Sequence, residues 1–249
     1  AMEAVPGRSL HEWIYLAHTE GLLPWPIVWA TVDQVLSALA HAHARGIIHG
    51  DLKPSNVLLE VPEHGDSQVH VLDLGLAWLL KDRVDHRLDG GSEAEPTVRY
   101  GAGTTGWMAP EQIRFATPHI GPPTDLYALG CILFALLSDR EPYVGSNDEL
   151  LQQHRNAPPP TPSLPPGVPS EVAPFVVRLL QKRPWNRFAF AGDARRVWRQ
   201  FRPTGSATET PLPVRPSDRP SVMPTREEIT LPEPFPQPRV VERPSAVAA

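Results

Sequence analysis

The chain has 249 residues and a formal net charge of -5, without the basic excess that marks nucleic-acid-binding proteins, so we expect no nucleic acid partner. Its single cysteine, Cys131, cannot close an intrachain disulfide, which excludes a disulfide-stapled secreted scaffold. The longest apolar run, residues 126–137, is shorter than the roughly 20 residues that cross a bilayer. We therefore expect a cytoplasmic chain without a membrane span.

Proline is the compositional outlier, with 31 of 249 residues against a usual share of about 5%. Residues 203–249 combine many prolines with no sustained apolar periodicity, which predicts a disordered tail after a folded unit of residues 1–202. Residues 213–216 match a P-x-x-P pattern. We favour a solvated spacer here, and recruitment of tail-binding proteins is the alternative. A second proline cluster, residues 157–169, predicts a rigid surface loop inside the folded unit.

The predicted elements begin with a helix whose capping box is formed by Ser9 and Glu12 and which runs to about residue 19. A second helix begins near Pro26, where apolar residues recur at helical spacing, and it stops at Gly46. A turn-rich stretch follows between short β-type runs. These runs are residues 47–49, 57–59 and 69–74.

The second half of the chain begins with an irregular stretch from Asp73 to Glu111, which predicts a long loop. Residues 124–137 are apolar on all sides and predict a helix that is buried all round. Further helices are predicted at 147–155, 170–182 and 191–201, the first two with Asn147 and Ser170 as N-caps. The chain as a whole is predicted to be mostly helical with a few short strands.

Four sequence blocks occur in a fixed order: HGDLKPSN at 49–56, DLG at 73–75, GTTGWMAPE at 103–111 and DLYALG at 125–130. In this order they resemble the catalytic loop, metal-binding triplet, activation-segment end and central helix of the eukaryotic-type protein kinases, in their bacterial serine/threonine form. The resemblance covers residues 1–202 and only the C-terminal lobe of the family. It implies the α+β kinase fold, here its mostly α, helical C-terminal lobe, and transfer of the ATP γ-phosphate to serine or threonine hydroxyls of proteins.

The residue types in these blocks suit phosphoryl transfer, which asks a protein mainly to position groups and to neutralise charge. Asp51 can accept the proton of the attacking hydroxyl, and Lys53, two residues further in an extended loop, can balance charge on the γ-phosphate. Asn56 and Asp73 offer the oxygen ligands that Mg2+ prefers. An ordinary polar turn is the alternative for this stretch, but the ordered set of blocks favours kinase roles.

The resemblance also implies contacts for the rest of the nucleotide site. Glu3 and Val5 resemble the hinge whose backbone binds adenine, and Leu58 matches the apolar floor under the base. Thr104 would bridge Asp51 and Lys53 through its hydroxyl, as in serine/threonine kinases. ATP and Mg2+ are the cofactors that follow.

Three further residues are predicted to be structural. A carboxylate such as Asp125 at the start of an apolar helix is costly to bury without partners; the resemblance implies that it accepts backbone hydrogen bonds from the catalytic loop, and a simple N-terminal cap is the alternative. The resemblance pairs Glu111 with Arg187, which would tie the activation segment to the last helices.

The nearby histidines, His41, His43 and His49, lack the common face and the further cysteine or carboxylate ligands of a zinc site. They are predicted to be solvated or capping residues, and no zinc is expected.

Two departures from the family limit what the chain can do. Gly50 stands where the family usually has an arginine that pairs with a phosphorylated activation segment, so we expect activity not to require phosphorylation there. The chain also lacks a glycine-rich loop, and its only lysines, at 53, 81 and 182, leave none to anchor the nucleotide. We therefore expect a truncated kinase with little activity alone; the alternative is a pseudokinase or scaffold module.

Overall fold

The computed structural model describes residues 7–62, 66–74, 105–114 and 119–203. All of them belong to the first of two units, Ala1–Val214 and Arg215–Ala249. Glu3 and Val5, which were predicted to form the hinge, lie outside the described residues, as do Thr104 and the predicted tail beyond residue 203. No helix in the described ranges is long and apolar enough to cross a membrane.

Helices α1 (Leu10–Glu20) and α2 (Trp25–His43) confirm the first two predictions. The capping box of α1 is formed, because Ser9 Oγ accepts a hydrogen bond from the Glu12 amide at 3.3 Å and the Glu12 carboxylate accepts one from the Ser9 amide at 2.9 Å. Helix α2 begins one residue before Pro26 and is followed by a turn in which the Gly46 amide donates to the His43 carbonyl.

A three-stranded antiparallel sheet lies beside α1, in the order β1 (Arg8–Ser9), β2 (Val57–Glu60) and β3 (Gln68–Val71). The first of these strands was not predicted, because two residues carry no alternation. Residues 47–49 were predicted as a β-type run and are not a strand. Their amides are used elsewhere: that of Ile47 donates to the Ala42 carbonyl and that of His49 to a side chain of the core.

The long loop predicted up to Glu111 contains two short helices at its end, so that part of the prediction was wrong. Thr105–Trp107 form a 3-10 turn, and helix α3 spans Pro110–Ile113. Helix α3 is stabilised at its start, where the Gln112 side-chain oxygen accepts a hydrogen bond from the Ala109 amide at 2.9 Å. This side-chain cap spans only four residues and leaves no periodic pattern in the sequence.

Helix α4 (Pro122–Ser138) is the centre of the core and confirms the prediction of an all-round buried helix, since every residue from Thr124 to Leu137 is buried. Its neighbours include α2, α6 (Val172–Leu179) and α7 (Ala191–Trp198). The core is therefore helical, and the short strands lie near its edge.

The last helices are found where they were predicted, but both predicted N-caps were wrong. Helix α5 (Asn147–Asn156) is capped by Ser146, whose hydroxyl accepts from the Glu149 amide. Helix α6 begins after Glu171, while the Ser170 hydroxyl donates to the Glu171 carboxylate instead of capping. Residues 157–169 form a loop without helix, as predicted, and its apolar residues Leu164 and Val168 pack against the core.

Candidate active site

The turn at residues 51–53 brings a carboxylate and an ammonium group together. Lys53 Nζ donates to Asp51 Oδ2 at 2.7 Å, which confirms that the two side chains point to the same side of the loop. Their side chains remain 24% and 34% exposed, respectively, so both can reach a bound molecule. A carboxylate and an ammonium at one surface position provide a proton acceptor beside a positive charge.

Asn56 holds this turn in shape from its C-terminal end. It closes the 3-10 turn Pro54–Asn56, is buried, and donates from its side-chain amide to the Asp51 carbonyl at 3.0 Å. The side-chain oxygen of Asn56 makes no hydrogen bond to another described residue, so it is available as a ligand.

Asp73 is brought to the same end of the β2–β3 hairpin as Asn56. The strands pair antiparallel with Val57 opposite Val71, and the Leu72 amide donates to the Asn56 carbonyl at 2.8 Å. Asp73 is exposed and has a positive φ of 56°, which is uncommon for a residue with a side chain. Its carboxylate has no hydrogen bond or ion pair within the described ranges.

The side-chain oxygens of Asn56 and Asp73 suit Mg2+ better than a cation whose ligands must all come from the protein. Mg2+ is commonly held by one or two side-chain oxygens, with water and substrate phosphates completing its shell. Within the part of the chain that the structure describes, no three His, Cys, Asp or Glu residues form a metal-binding group. If Asn56 and Asp73 hold a metal, water and phosphate oxygens would complete its shell.

Asp125 fixes the backbone on the other side of the turn. Its buried carboxylate accepts hydrogen bonds from the His49 amide at 2.9 Å and the Gly50 amide at 2.8 Å, which confirms the role implied by the resemblance. A third contact, 2.9 Å long, joins it to His43 Nε2. The turn at residues 51–53, which we call the catalytic turn after its predicted role, is thus attached through His49 and Gly50 to the first turn of the central helix.

The prediction that His43 and His49 are solvated or capping residues was wrong, because both side chains are buried. His43 continues the buried face of α2, four residues after Leu39 and seven after Leu36. That spacing was visible in the sequence, but it does not by itself identify Asp125 as the partner.

Gly50 adopts a left-handed backbone with φ of 74°, a conformation that glycine accepts without the steric cost of a Cβ. Its carbonyl accepts a hydrogen bond from Gln112 Nε2 at 2.7 Å. Gln112 therefore connects helix α3 to the catalytic turn. This contact was not predicted, because Gln112 belongs to none of the motifs identified in the sequence.

Glu111 and Arg187 form the predicted pair. Two parallel hydrogen bonds of 2.7 and 2.9 Å join the guanidinium to the carboxylate, and both side chains are buried. Arg187 also donates to the carbonyls of Pro123 and Gln181, and Thr124 donates to Glu111. The pair is thus fully hydrogen-bonded inside the fold and acts structurally.

A polar cluster that the sequence did not predict lies next to this pair. Lys182 Nζ donates to the Tyr143 hydroxyl at 2.7 Å, and the Tyr127 hydroxyl lies 2.9 Å from His154 Nδ1. Burial lowers the pKa of Lys182 to about 8. Burial and the charge of Lys182 lower the pKa of His154 to about 3. His154 is therefore neutral at physiological pH.

Leu58 lies on β2 with Ser9 and His70 as its neighbours across the sheet, and it is less buried than Val57 and Leu59 on either side of it. It therefore does not share their core-facing side, and its role under adenine stays a prediction. The roles of Glu3, Val5 and Thr104 also stay predictions, because these residues lie outside the described ranges.

Comparison with curated proteins finds bacterial serine/threonine kinases. The chain is 34% identical over 175 residues to the serine/threonine-protein kinase PknH of Mycobacterium bovis, covering 70% of this chain and 27% of PknH. It is also 34% identical over 235 residues to the serine/threonine-protein kinase Pkn1 of Myxococcus xanthus, covering 86% of this chain and 31% of Pkn1. The chain thus spans about a quarter to a third of the length of these relatives.

Among solved structures, the Rad53 kinase domain with SCD2 in complex with AMPPNP is 25% identical, with a TM-score of 0.54, over 79% of this chain and 67% of that chain. The Mycobacterium tuberculosis PknI kinase domain, at 22% identity and a TM-score of 0.55, covers 81% of this chain and 65% of that one and shows the fold alone. A family model described as the protein kinase domain matches residues 1–198. The hydrogen bonds that attach the catalytic turn to Asp125, and the buried Glu111–Arg187 pair, are those that the resemblance implied. Together with the family match they show that the chain belongs to the protein kinase domain family.

Proposed function

We propose that this chain carries the catalytic loop of a cytoplasmic serine/threonine protein kinase that transfers the ATP γ-phosphate to serine or threonine hydroxyls of proteins. The observation that carries the proposal is the 2.7 Å contact between Asp51 and Lys53, with both side chains partly exposed. The hydrogen bonds that the His49 and Gly50 amides donate to the Asp125 carboxylate support it, because they hold the turn in one geometry.

In this proposal the two side chains have separate roles. Asp51 orients the attacking hydroxyl and accepts its proton as the new oxygen–phosphorus bond forms. Lys53 places a positive charge beside the transferred phosphoryl group, whose oxygens carry negative charge throughout the reaction. The γ-phosphoryl group is thereby transferred to the hydroxyl oxygen. ADP leaves with the electron pair of the broken bond between the γ-phosphorus and the bridging oxygen.

The proposed cofactors are ATP and Mg2+. Asn56 and Asp73 would hold the metal, which neutralises charge on the phosphates when it is bound. The complex of the Rad53 kinase domain with AMPPNP supports the use of ATP, since it shows a related protein with an ATP analogue. Leu58 and the backbone of Glu3 and Val5 would enclose adenine, and Thr104 would bridge the Asp51–Lys53 pair.

The test is a kinase assay on the gene product that contains residues 1–249, with a serine/threonine peptide library and phosphoamino-acid analysis. We expect phosphoserine and phosphothreonine without phosphotyrosine. The Asp51→Asn variant should lower kcat by about 10²- to 10⁴-fold, and Lys53→Met by about 10²-fold or more. Residues 1–249 alone should show little ATP turnover.

The matched control is Asp148→Asn, which removes an exposed carboxylate on α5 and should leave kcat unchanged. Circular dichroism melting establishes that each variant is folded. Full activity of Asp51→Asn, or no transfer by the folded gene product, would refute the proposal; the second result would support a scaffold instead.

A further inference from the structure

A cleft with a volume of about 460 Å³ lies beside the C-terminal end of helix α7 and shares no residue with the candidate active site. Its lining comes from α2 and from the chain just after α7: Trp29, Asp33, Arg199 and Arg202. Three of these four residues are charged, so the cleft lacks the apolar walls that enclose most small-molecule ligands. Such a lining is better suited to the polar end of a side chain.

Two tryptophans fix one wall of this cleft. The Trp29 indole N–H donates to the Trp198 carbonyl at 3.3 Å, and the Trp198 indole N–H donates to the Trp29 carbonyl at 3.0 Å. The Arg202 guanidinium lies over the Trp29 ring, 5.5 Å from its centroid. At this distance a cation and an aromatic face attract each other. The aromatic ring and the cation are therefore positioned by the fold itself.

The cleft carries more positive than negative charge. Asp33 accepts two hydrogen bonds from Arg195, at 2.9 and 2.8 Å, and a third from Arg199 Nε at 3.1 Å. Burial would raise the pKa of Asp33, but the hydrogen bonds from these two arginines lower it, so its carboxylate stays charged. With Arg202, three guanidinium groups stand against this one carboxylate, which leaves an excess of two positive charges.

The two lining arginines keep donors that no described residue uses. Arg199 donates to Asp33 through Nε alone, and its side chain is 57% exposed, so its terminal nitrogens can reach a bound molecule. Arg202 is exposed and makes no hydrogen bond within the described ranges. Guanidinium groups match the geometry of a phosphate. A phosphate monoester carries about -1.5 to -2 charges at pH 7, which would balance the excess.

We propose that this cleft binds a phosphorylated serine or threonine of a protein, with Arg199 and Arg202 holding the phosphate and Trp29 contacting the adjoining peptide. The site does not depend on the proposed kinase function. The choice of occupant rests on it, since that reaction makes phosphoserine and phosphothreonine. The competing explanation is that the arginines only pair with Asp33 and stabilise the C-terminal end of α7.

The test measures peptide binding by fluorescence anisotropy, without ATP, on the gene product that contains residues 1–249. The probe is a synthetic peptide library with one phosphoserine among randomised positions, compared with the same library carrying serine. We expect the phosphate to raise affinity by about tenfold. Arg199→Gln and Arg202→Gln should each lose most of this gain and keep the weaker affinity for the serine library. Circular dichroism melting establishes that both variants are folded.

The matched control is Arg196→Gln, which removes a guanidinium that is 79% exposed and does not line the cleft, and it should retain the gain. The inference is overturned if phosphorylation does not raise affinity, if the gain survives in Arg199→Gln and Arg202→Gln, or if Arg196→Gln also loses it.

Two further probes separate the sources of phosphate. Inorganic phosphate and vesicles of phosphatidylserine with phosphatidylcholine should both bind more weakly than the phosphopeptides. Tighter binding of either would overturn a protein as the occupant. The peptides are phosphorylated before the experiment, so no result depends on phosphoryl transfer, and failure here is distinct from failure of the Asp51 experiment.

Discussion

Gly130 and Leu179 are in contact across the α4–α6 interface, and a Cβ on Gly130 would lie only 2.8 Å from the Leu179 Cβ. This distance is shorter than real Cβ contacts, and both positions are in the core. The Gly130→Ala variant should therefore lower the free energy of unfolding by about 1–3 kcal/mol through overpacking. Urea denaturation measures this change.

A second glycine provides the matched control for that substitution. Gly192 lies in the first turn of α7 and has nothing within 4 Å of an added Cβ. Gly192→Ala should leave stability unchanged or raise it by up to about 1 kcal/mol, because alanine restricts the unfolded chain. If the Gly130→Ala variant were as stable as the wild-type protein, the close packing of α4 against α6 would be contradicted.

The Glu111–Arg187 pair leads to a second prediction. Arg187→Ala leaves a buried carboxylate without its charged partner, so we expect a loss of about 3–5 kcal/mol in the free energy of unfolding. The control is Arg196→Ala, since the ion pair of Arg196 with Asp193 is exposed and worth at most about 1 kcal/mol. Thermal and urea unfolding of the two variants should differ clearly; similar small losses would mean that the buried pair is not needed.

The third prediction concerns pH and His154. Its native pKa of about 3 lies below the usual 6.5, so the folded state binds the proton more weakly than the unfolded state. The stability from its neutral form is complete above pH 6.5 and is lost as pH falls toward 3. The groups that face it are Tyr127, Tyr143 and Lys182.

We expect the free energy of unfolding to fall between pH 6.5 and 4 with a slope of up to about 1.4 kcal/mol per pH unit from this residue. The His154→Gln variant should be less stable at pH 7 and should lack this part of the slope. Urea titrations at four pH values measure it. An unchanged slope in the variant would assign the acid sensitivity to other groups.

The fourth prediction concerns Gly50, which has no guanidinium to pair with a phosphate. Ser92 and Thr97 lie between the DLG and GTTGWMAPE blocks, in the stretch that was predicted to be the activation segment, and are candidates for phosphorylation. In the gene product that contains this chain, Ser92→Ala and Thr97→Ala should each keep kcat within about twofold. Thr105 is a separate case, because its buried hydroxyl donates to Asn147 Oδ1 at 3.1 Å. A loss in Thr105→Ala that Asn147→Ala reproduces would report that contact, whereas a collapse in Ser92→Ala or Thr97→Ala would refute the prediction.

The elements that the sequence predicted best are those whose signal is local. The capping box of Ser9 and Glu12 and the apolar run of α4 each specify structure within a few turns of chain. The N-caps of α5 and α6 were misplaced because adjacent polar residues, such as Ser146 and Asn147, are equally good candidates in sequence.

The contact between Asp51 and Lys53 was predictable, because their spacing in an extended loop places both side chains on the same side. Contacts with partners far away in the sequence were not predictable. His43 contacts a carboxylate 82 residues away, and Gln112 donates to a carbonyl 62 residues away. Such contacts depend on how helices pack, which no single stretch of sequence encodes.

The attachment of Gly50 to Asp125 has a consequence for synthesis of the protein. The two residues are 75 positions apart, so the turn that carries Asp51 leaves the ribosome well before the carboxylate that fixes it. A nascent chain that ends ahead of α4 would hold every residue of the turn without its working geometry. The working geometry of the turn should then form in one late step, when α4 packs into the core.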